Sequence, residues 1–198
     1  MRSACLRRPT CALLALGLVL SLALPAWAGA PTERVKIGVT QVVRILEDQS
    51  TAAPERRAAI RRVAEGMFDF HELARRTLGR HWPGLSESDR AEFVGLFAKL
   101  LERAYISQLE RYSGERIAYA GESVQGGVAT VRTRFTTREG GEVHVDYRMA
   151  GQGDRWRVAD VVVEGVSLTA SYRSQFDKVI QTSSFQELLR RMRTAVAA

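Results

Sequence analysis

Residues 131–149 read VRTRFTTREGGEVHVDYRM, and this stretch decides the fold class. On both sides of Gly140-Gly141, apolar or small side chains alternate with charged or polar ones. A period of two is typical of a half-buried β-strand, and a Gly-Gly step is typical of a hairpin turn. The stretch therefore predicts two antiparallel strands with one shared apolar face and one shared polar face.

The same pattern continues outward over residues 117–163. Gly126-Gly127 and Gly151-Gln152-Gly153 predict two more turns, and residues 156–163 form a more apolar segment. Turn signals at this spacing are typical of consecutive hairpins. We therefore predict an antiparallel meander of four strands.

Helical patterns precede the meander. Residues 31–79 predict three helices, with breaks at residues 48–50 and at Gly66. The third is short, residues 70–78, with Asp69 as its N-cap and Gly79 at its end. A longer helix is predicted over residues 87–112, because its apolar residues keep one face for more than four turns.

After Gly165 the spacing returns to that of helices, through residues 168–192. Helices, then hairpins, then helices is the order typical of an α+β domain. We predict N-terminal helices, a curved antiparallel four-stranded sheet, and C-terminal helices packed on its concave face.

Residues 1–28 have the three parts of an export signal. Arg2, Arg7 and Arg8 form a positive segment, residues 12–24 form an apolar run, and Ala26-Trp27-Ala28 provides small residues for cleavage. The run of 13 residues is shorter than the about 20 that a bilayer requires, so an uncleaved anchor is the weaker alternative. We predict a cleaved Sec-type signal peptide over residues 1–28, or cleavage after Ala30, and one domain over residues 29–198.

Composition excludes several protein classes. The chain of 198 residues is 45% hydrophobic and 26% charged, which is globular and neither disordered nor multi-spanning. Without residues 1–28 it keeps 26 of its 29 basic residues and all 22 acidic ones, so the net charge falls from +7 to +4. This charge is too small to indicate nucleic-acid binding. Both cysteines, Cys5 and Cys11, lie in the predicted signal, so no disulfide or thiolate metal site is expected.

The sequence contains few residues and motifs that could form a catalytic site. None of the three histidines (His71, His81 and His144) is four residues from another, and no HExxH or glycine-rich phosphate loop is present. Strand parity places Asp160 on the apolar face with Trp156 and Val158. A general base there is one interpretation, and a structural carboxylate at a bulge or strand end is the favoured one.

Several segments together resemble one known family. They are residues 68–70, 78–82 and 93–109, then VDYR at 145–148, WRVADVVVEGVSL at 156–168 and YRSQF at 172–176. These segments, of which the last two are the most specific, resemble the MlaC/Ttg2D or toluene-tolerance family. The resemblance implies a soluble, monomeric, noncatalytic periplasmic carrier of phospholipid without cofactor or metal. It also implies exchange of lipid between an outer-membrane lipoprotein complex and an inner-membrane ABC transporter, which maintains outer-membrane lipid asymmetry.

Given a lipid slot between sheet and helices, strand parity and helix periodicity select its lining. The predicted contacts with the acyl chains are Phe97, Leu101, Tyr105, Val131, Phe135, Val143, Val145, Tyr147, Val162, Leu168, Tyr172 and Phe176. The tyrosines among them suit a mouth, because each has an apolar ring and a polar tip. Arg173 is a candidate contact for the lipid head group, although an exposed arginine is the favoured interpretation.

Three alternatives stay open at this point. The cargo could be a hopanoid or another polycyclic lipid, because a branch of the same family is associated with hopanoid biosynthesis. The chain could be an acid/base enzyme that uses Asp160 and His144. It could also be an adaptor whose arginine pairs, such as Arg61-Arg62 and Arg75-Arg76, meet an acidic partner.

Overall fold

The computed structural model describes residues 30–153 and 155–197, so the predicted signal peptide lies outside the described residues. Four helices come first: α1 (Ala30–Glu47), α2 (Ala53–Met67), α3 (Phe70–Leu78) and, after a 3₁₀ segment (Gly79–Gly84), α4 (Glu87–Leu109). Five strands follow: β1 (Arg116–Gln125), β2 (Val128–Thr136), β3 (Glu142–Gln152), β4 (Arg155–Val163) and β5 (Val166–Ser167). Two helices, α5 (Leu168–Thr182) and α6 (Phe185–Ala197), complete the α+β fold.

The sheet is antiparallel, with its strands in the order β1-β2-β3-β4-β5. The predicted meander is confirmed, but the sheet has five strands instead of four. The chain turns back at Glu164 and Gly165, whose φ angles are +48° and +78°, and two residues then pair with β4. Consecutive positive φ values suit a tight hairpin turn. A strand of two residues is too short for its alternation to be recognised in the sequence.

The register confirms the apolar face predicted for the central hairpin. Phe135 pairs with Val143, Val131 with Tyr147, and the cross-strand neighbours of one pair point to the same side. Val145, which pairs with Thr133, lies on this face as well. The opposite face carries charged pairs such as Arg132 with Asp146.

A β-bulge at Ala159 overturns the predicted side for Asp160. Met149 pairs with Val158, whereas the preceding Arg148 pairs with Asp160, so Ala159 has no partner in β3. An extra residue in one strand moves everything beyond it to the other face. Asp160 therefore lies on the face of Arg148, opposite Trp156 and Val158, and Val162 changes sides in the same way.

The predicted helix boundaries are mostly confirmed. The side chain of Asp69 accepts a hydrogen bond of 2.9 Å from the backbone N–H of Glu72, so α3 begins where the N-cap predicted. Gly79 ends it with a φ of +51°. Helix α4 ends at Leu109, three residues before the predicted end at Tyr112, because residues 111 and 112 bond to the third residue before them in a tighter turn.

Two apolar cores form, and they correct the predicted position of the helices. One core lies among α3, α4, α5 and α6 around Phe93 and Leu189. The other lies between α1 and the apolar face of the sheet, where Val35 packs with Val131 and Met149. The first helix thus covers this face, while α5 packs along β4 and β5 at the sheet edge. Amphipathic spacing shows that a helix packs somewhere, but not which surface it meets.

Candidate functional site

A largely apolar cavity of about 370 Å³ lies between α1 and α2 on one side and the sheet with the end of α4 on the other. This volume falls within the roughly 300–1,000 Å³ typical of small-molecule pockets. Its lining residues are Gly38, Val39, Val42, Val43, Leu46, Ile60, Val63, Ala64, Met67, Phe68, Gln108, Leu109, Arg111, Tyr112, Glu115, Ile117, Phe135 and Tyr147.

Helical spacing explains how α1 and α2 form the walls. The contacts of α1 recur at residues 38, 39, 42, 43 and 46, and those of α2 at residues 60, 63, 64 and 67. These spacings place each set on one helix face. The helices cross closely at Gly38, where a Cβ atom would lie 2.6 Å from the sulfur of Met67. The absence of a side chain at Gly38 therefore sets the distance between the two walls.

The polar lining lies at one end. Gln108, Arg111, Tyr112 and Glu115 all belong to the end of α4 and the loop before β1. Gln108 and Arg111 are exposed, so this end is the mouth. Apart from a backbone bond to Gln108, Arg111 makes no hydrogen bond or ion pair within the described part of the chain. Its guanidinium is therefore available at the mouth.

Tyr147 forms part of the floor. It is 8% exposed and packs in the core with Val131 and Met149. Burial, with a smaller contribution from nearby Tyr119, raises the pKa of the Tyr147 phenol above its ordinary value. The phenol therefore stays neutral and keeps its proton as a hydrogen-bond donor.

Two arginine–glutamate pairs join α2 to α4 beside the cavity. Arg57 donates to both carboxylate oxygens of Glu110, at 2.7 and 3.0 Å. Arg61 binds Glu102 in the same two-pronged way. The hydrogen bonds from Arg57 lower the pKa of Glu110, so the pair is charged at neutral pH. We call these two pairs the α2–α4 latch.

The twelve residues predicted to line the lipid slot do not lie together in the structure. Phe135 and Tyr147 line the cavity, and Val131, Val143 and Val145 share their sheet face. Tyr105 is 43% exposed on α4, and Val162 lies on the opposite sheet face. The others belong to the helical core or pack against it: Phe97, Leu101, Leu168, Tyr172 and Phe176.

Sequence reasoning did not assign α1 and α2 to the cavity. Their apolar stripes, including Val39, Val42 and Val63, are visible in the sequence as amphipathic spacing. That signal predicts burial alone, because any apolar surface would satisfy it. Gly38 offered a further hint, since glycine inside a helix often marks a close approach of another element.

Asp160 has a structural role. Its carboxylate accepts hydrogen bonds from the Ser167 hydroxyl at 2.6 Å and the Thr169 backbone N–H at 3.0 Å, and Arg148 lies 3.4 Å away. These bonds fix the start of α5 against β4. His144 lies four residues from Arg148 along β3, about 13 Å at 3.3 Å per residue, so it does not form the pair with Asp160 that the enzyme alternative requires.

The arginines of the adaptor interpretation mostly bind neighbouring groups. Arg75 and Arg76 bind Glu72, and Arg61 belongs to the latch. Arg173 donates to the backbone carbonyl of Arg76, which ties α5 to α3. Arg62 is exposed and makes no hydrogen bond or ion pair within the described residues.

The histidines also make structural contacts. His81 bonds to Asp177 at 2.6 Å, and His71 packs edge-on against Trp82 with ring centroids 5.1 Å apart. Within residues 30–153 and 155–197, no three His, Cys, Asp or Glu side chains are grouped to hold a metal ion. Over the same ranges, no helix has both the length and the apolar character to cross a bilayer.

A solved structure shares this fold. It is a phospholipid-binding protein from Ralstonia solanacearum in complex with a phospholipid. The superposition has a TM-score of 0.75 at 21% sequence identity, and it covers 84% of this chain and 97% of the other. At this identity the similarity establishes the fold.

The sequence gives the family independently of that structure. The profile described as MlaC protein matches residues 37–194, which include the cavity-lining part of α1, all of α2, the whole sheet and most of α6. The match spans well over half of the chain and agrees with the α+β architecture. The chain belongs to the MlaC family.

Proposed function

We propose that this protein is a noncatalytic carrier that binds a phospholipid by enclosing acyl chain in the cavity between α1, α2 and the sheet. The observation that carries the proposal is an apolar cavity whose polar lining is confined to one end. An amphipathic molecule fits such a site with its apolar part inside and its polar part at the mouth. Phe135 and Tyr147 would contact the chain directly, together with the lining residues of α1 and α2.

The energetics of lipid in water support a carrier. Each buried methylene is worth about 0.8 kcal/mol, so a chain of ~15 methylenes is worth on the order of 12 kcal/mol before the costs of binding. A lipid molecule therefore leaves a membrane for water only slowly. A protein cavity replaces part of that apolar contact during transfer. Release then requires a partner that favours an open state of the cavity or accepts the chain.

We place this carrier in the periplasm, as a monomer that is released by cleavage of the signal peptide. Family membership supports exchange with an outer-membrane lipoprotein complex and an inner-membrane ABC transporter, and thereby a role in outer-membrane lipid asymmetry. The lipid complex of the Ralstonia protein, which shares the fold, supports phospholipid as the cargo.

The head group would remain at the mouth near Arg111. A free guanidinium there suits the phosphate of a phospholipid, because Arg binds phosphate oxygens in a two-pronged geometry. Arg111→Gln should weaken binding of phosphatidylglycerol and reduce the salt dependence of that binding. Fluorescent-lipid titration at two ionic strengths measures both effects, with Arg116→Gln as the control outside the cavity lining.

The direct test is to express the full chain in a Gram-negative host, purify it from the periplasm and analyse extracted lipids by mass spectrometry. We expect near-stoichiometric phospholipid. Recovery of a polycyclic lipid instead would support the proposed carrier function but with a different cargo. A stable protein that contains no lipid and takes up none from vesicles would contradict the proposal.

A cavity variant makes this test specific. Val42 lines the cavity, whereas the adjacent Gln41 is exposed on the same helix. Val42→Glu places a charge where an acyl chain should lie, so it should abolish lipid recovery while leaving a cooperative unfolding transition. Gln41→Glu adds the same charge outside the cavity and should retain lipid.

A further inference from the structure

We propose that the cavity selects acyl chains that carry an oxygen atom along their length, because Tyr147 offers an unused hydrogen bond beneath them. The inference rests on the proposed lipid binding and deepens it, since it names the chemical class of the chain. A hydroxylated acyl chain is the simplest member of that class.

The hydroxyl of Tyr147 has no partner in the described part of the chain. Tyr147 is more than nine-tenths buried, yet its hydroxyl neither donates nor accepts a hydrogen bond with residues 30–153 or 155–197. Another hydroxyl on this sheet face, that of Thr133, already donates to the carbonyl of Val145 at 2.7 Å. Buried polar groups are normally paired, so a ligand that covers this hydroxyl without bonding to it would leave it unsatisfied.

We infer that the hydroxyl is open to the cavity. Among the described residues, the buried side-chain polar atoms that are fully enclosed and unpartnered are Thr77 Oγ1 and Arg157 Nε. The Tyr147 hydroxyl is not enclosed in this way, so it keeps contact with open space. Tyr147 lines the cavity, which provides that space.

Tyr147 lies where it would contact the interior of an acyl chain rather than its ester end. Ile117 pairs with Phe135 at the strand ends next to the mouth. Tyr147 pairs with Val131, four residues further along β2. At about 3.3 Å per residue, the backbone of Tyr147 lies ~13 Å beyond the mouth end. A chain that enters from the mouth therefore passes Tyr147 some distance from its head group.

A plain methylene chain would cover the hydroxyl without pairing with it. The core around Tyr147 is largely apolar, with the phenol of Tyr119 as its polar neighbour, so a trapped water would find few partners there. An oxygen on the chain accepts the hydrogen bond and removes this penalty. Sites that hydrogen-bond a ligand oxygen discriminate against the analogue that lacks it.

The test compares oleoyl chains with ricinoleoyl chains, which differ by a mid-chain hydroxyl. Dioleoyl and diricinoleoyl phosphatidylglycerol would compete for delipidated wild-type protein and for Tyr147→Phe. We expect wild type to prefer the ricinoleoyl lipid and Tyr147→Phe to lower that preference about tenfold, which is about 1.4 kcal/mol. In the variant, affinity for the oleoyl lipid should rise as affinity for the ricinoleoyl lipid falls.

Tyr105→Phe is the control. Tyr105 is 43% exposed on α4 and is not part of the cavity lining, so loss of its hydroxyl should leave the preference unchanged. Equal changes for both lipids in Tyr147→Phe, or no change, would overturn the inference while lipid binding stands. If wild type binds neither lipid, the proposed function fails together with this inference.

Discussion

Arg57 of α2 holds Glu110, at the end of α4, through two hydrogen bonds of 2.7 and 3.0 Å. With Arg61 and Glu102, this pair forms the α2–α4 latch beside the cavity. Between α2 and α4 there is little other close packing. The latch therefore holds one wall of the cavity against the helix that carries its mouth.

Breaking the latch should speed the release of lipid more than it lowers stability. Exposed ion pairs contribute little to stability because water screens them, so Arg57→Ala with Arg61→Ala should change the free energy of unfolding only modestly. Transfer of a fluorescent phospholipid to acceptor vesicles should accelerate severalfold. Arg62→Ala, on the same helix but outside the latch, is the control. Equal transfer rates for all three proteins would show that the latch does not limit release.

A side chain at Gly38 should separate the cavity walls. Gly38→Leu would place atoms against the sulfur of Met67 and into the cavity, since even a Cβ would lie 2.6 Å from that sulfur. Overpacking typically costs about 1–3 kcal/mol. We expect a lower melting temperature and reduced lipid uptake, with Gly95→Leu as control because no atom lies within 4 Å of its added Cβ. Full lipid uptake by Gly38→Leu would contradict the position assigned to the cavity.

Asp160→Asn should affect stability and leave lipid transfer intact. The amide keeps the size of the side chain but loses one of the acceptors used by Ser167 and Thr169. A disrupted buried hydrogen bond costs about 1–3 kcal/mol, which urea unfolding can measure. Asp146→Asn, on the polar face, should change stability by less than about 0.5 kcal/mol. Loss of lipid transfer by correctly folded Asp160→Asn would instead indicate a functional role.

Acid should remove the contribution of Glu72 to the free energy of unfolding. Hydrogen bonds from Arg75, with support from Arg76, lower the pKa of Glu72 from 4.5 to about 2. A carboxylate whose pKa is lower in the folded state stabilises the fold above its unfolded pKa, and this effect is lost as pH falls from about 4.5 to about 2. Glu72→Gln should therefore be about 1 kcal/mol less stable than wild type at pH 7, after allowance for solvent screening.

Urea unfolding across that pH range provides the measurement. The stability difference between Glu72→Gln and wild type should shrink toward zero at the acid end. Glu187, whose pKa Arg190 and Arg191 also lower to about 2, gives an independent repeat in α6. A difference that stays constant with pH would contradict the ion-pair explanation.

The sequence by itself determined the local elements of this protein. Asp69 and Gly79 fixed the ends of α3, and alternation around Gly140-Gly141 assigned Phe135 and Tyr147 to the apolar face. These features depend on interactions within a few residues or across one hairpin, so their signals are contiguous in the chain.

Only the tertiary structure decided how these elements enclose a cavity. The apolar stripe of α1 resembles that of α5 in the sequence, yet α1 covers the sheet face and α5 packs at its edge. One unpaired residue, Ala159, moved Asp160 and Val162 to the other face. Burial is nondirectional, and a bulge is defined only by the partner strand. The cavity therefore depends on packing between distant segments, which local patterns do not encode.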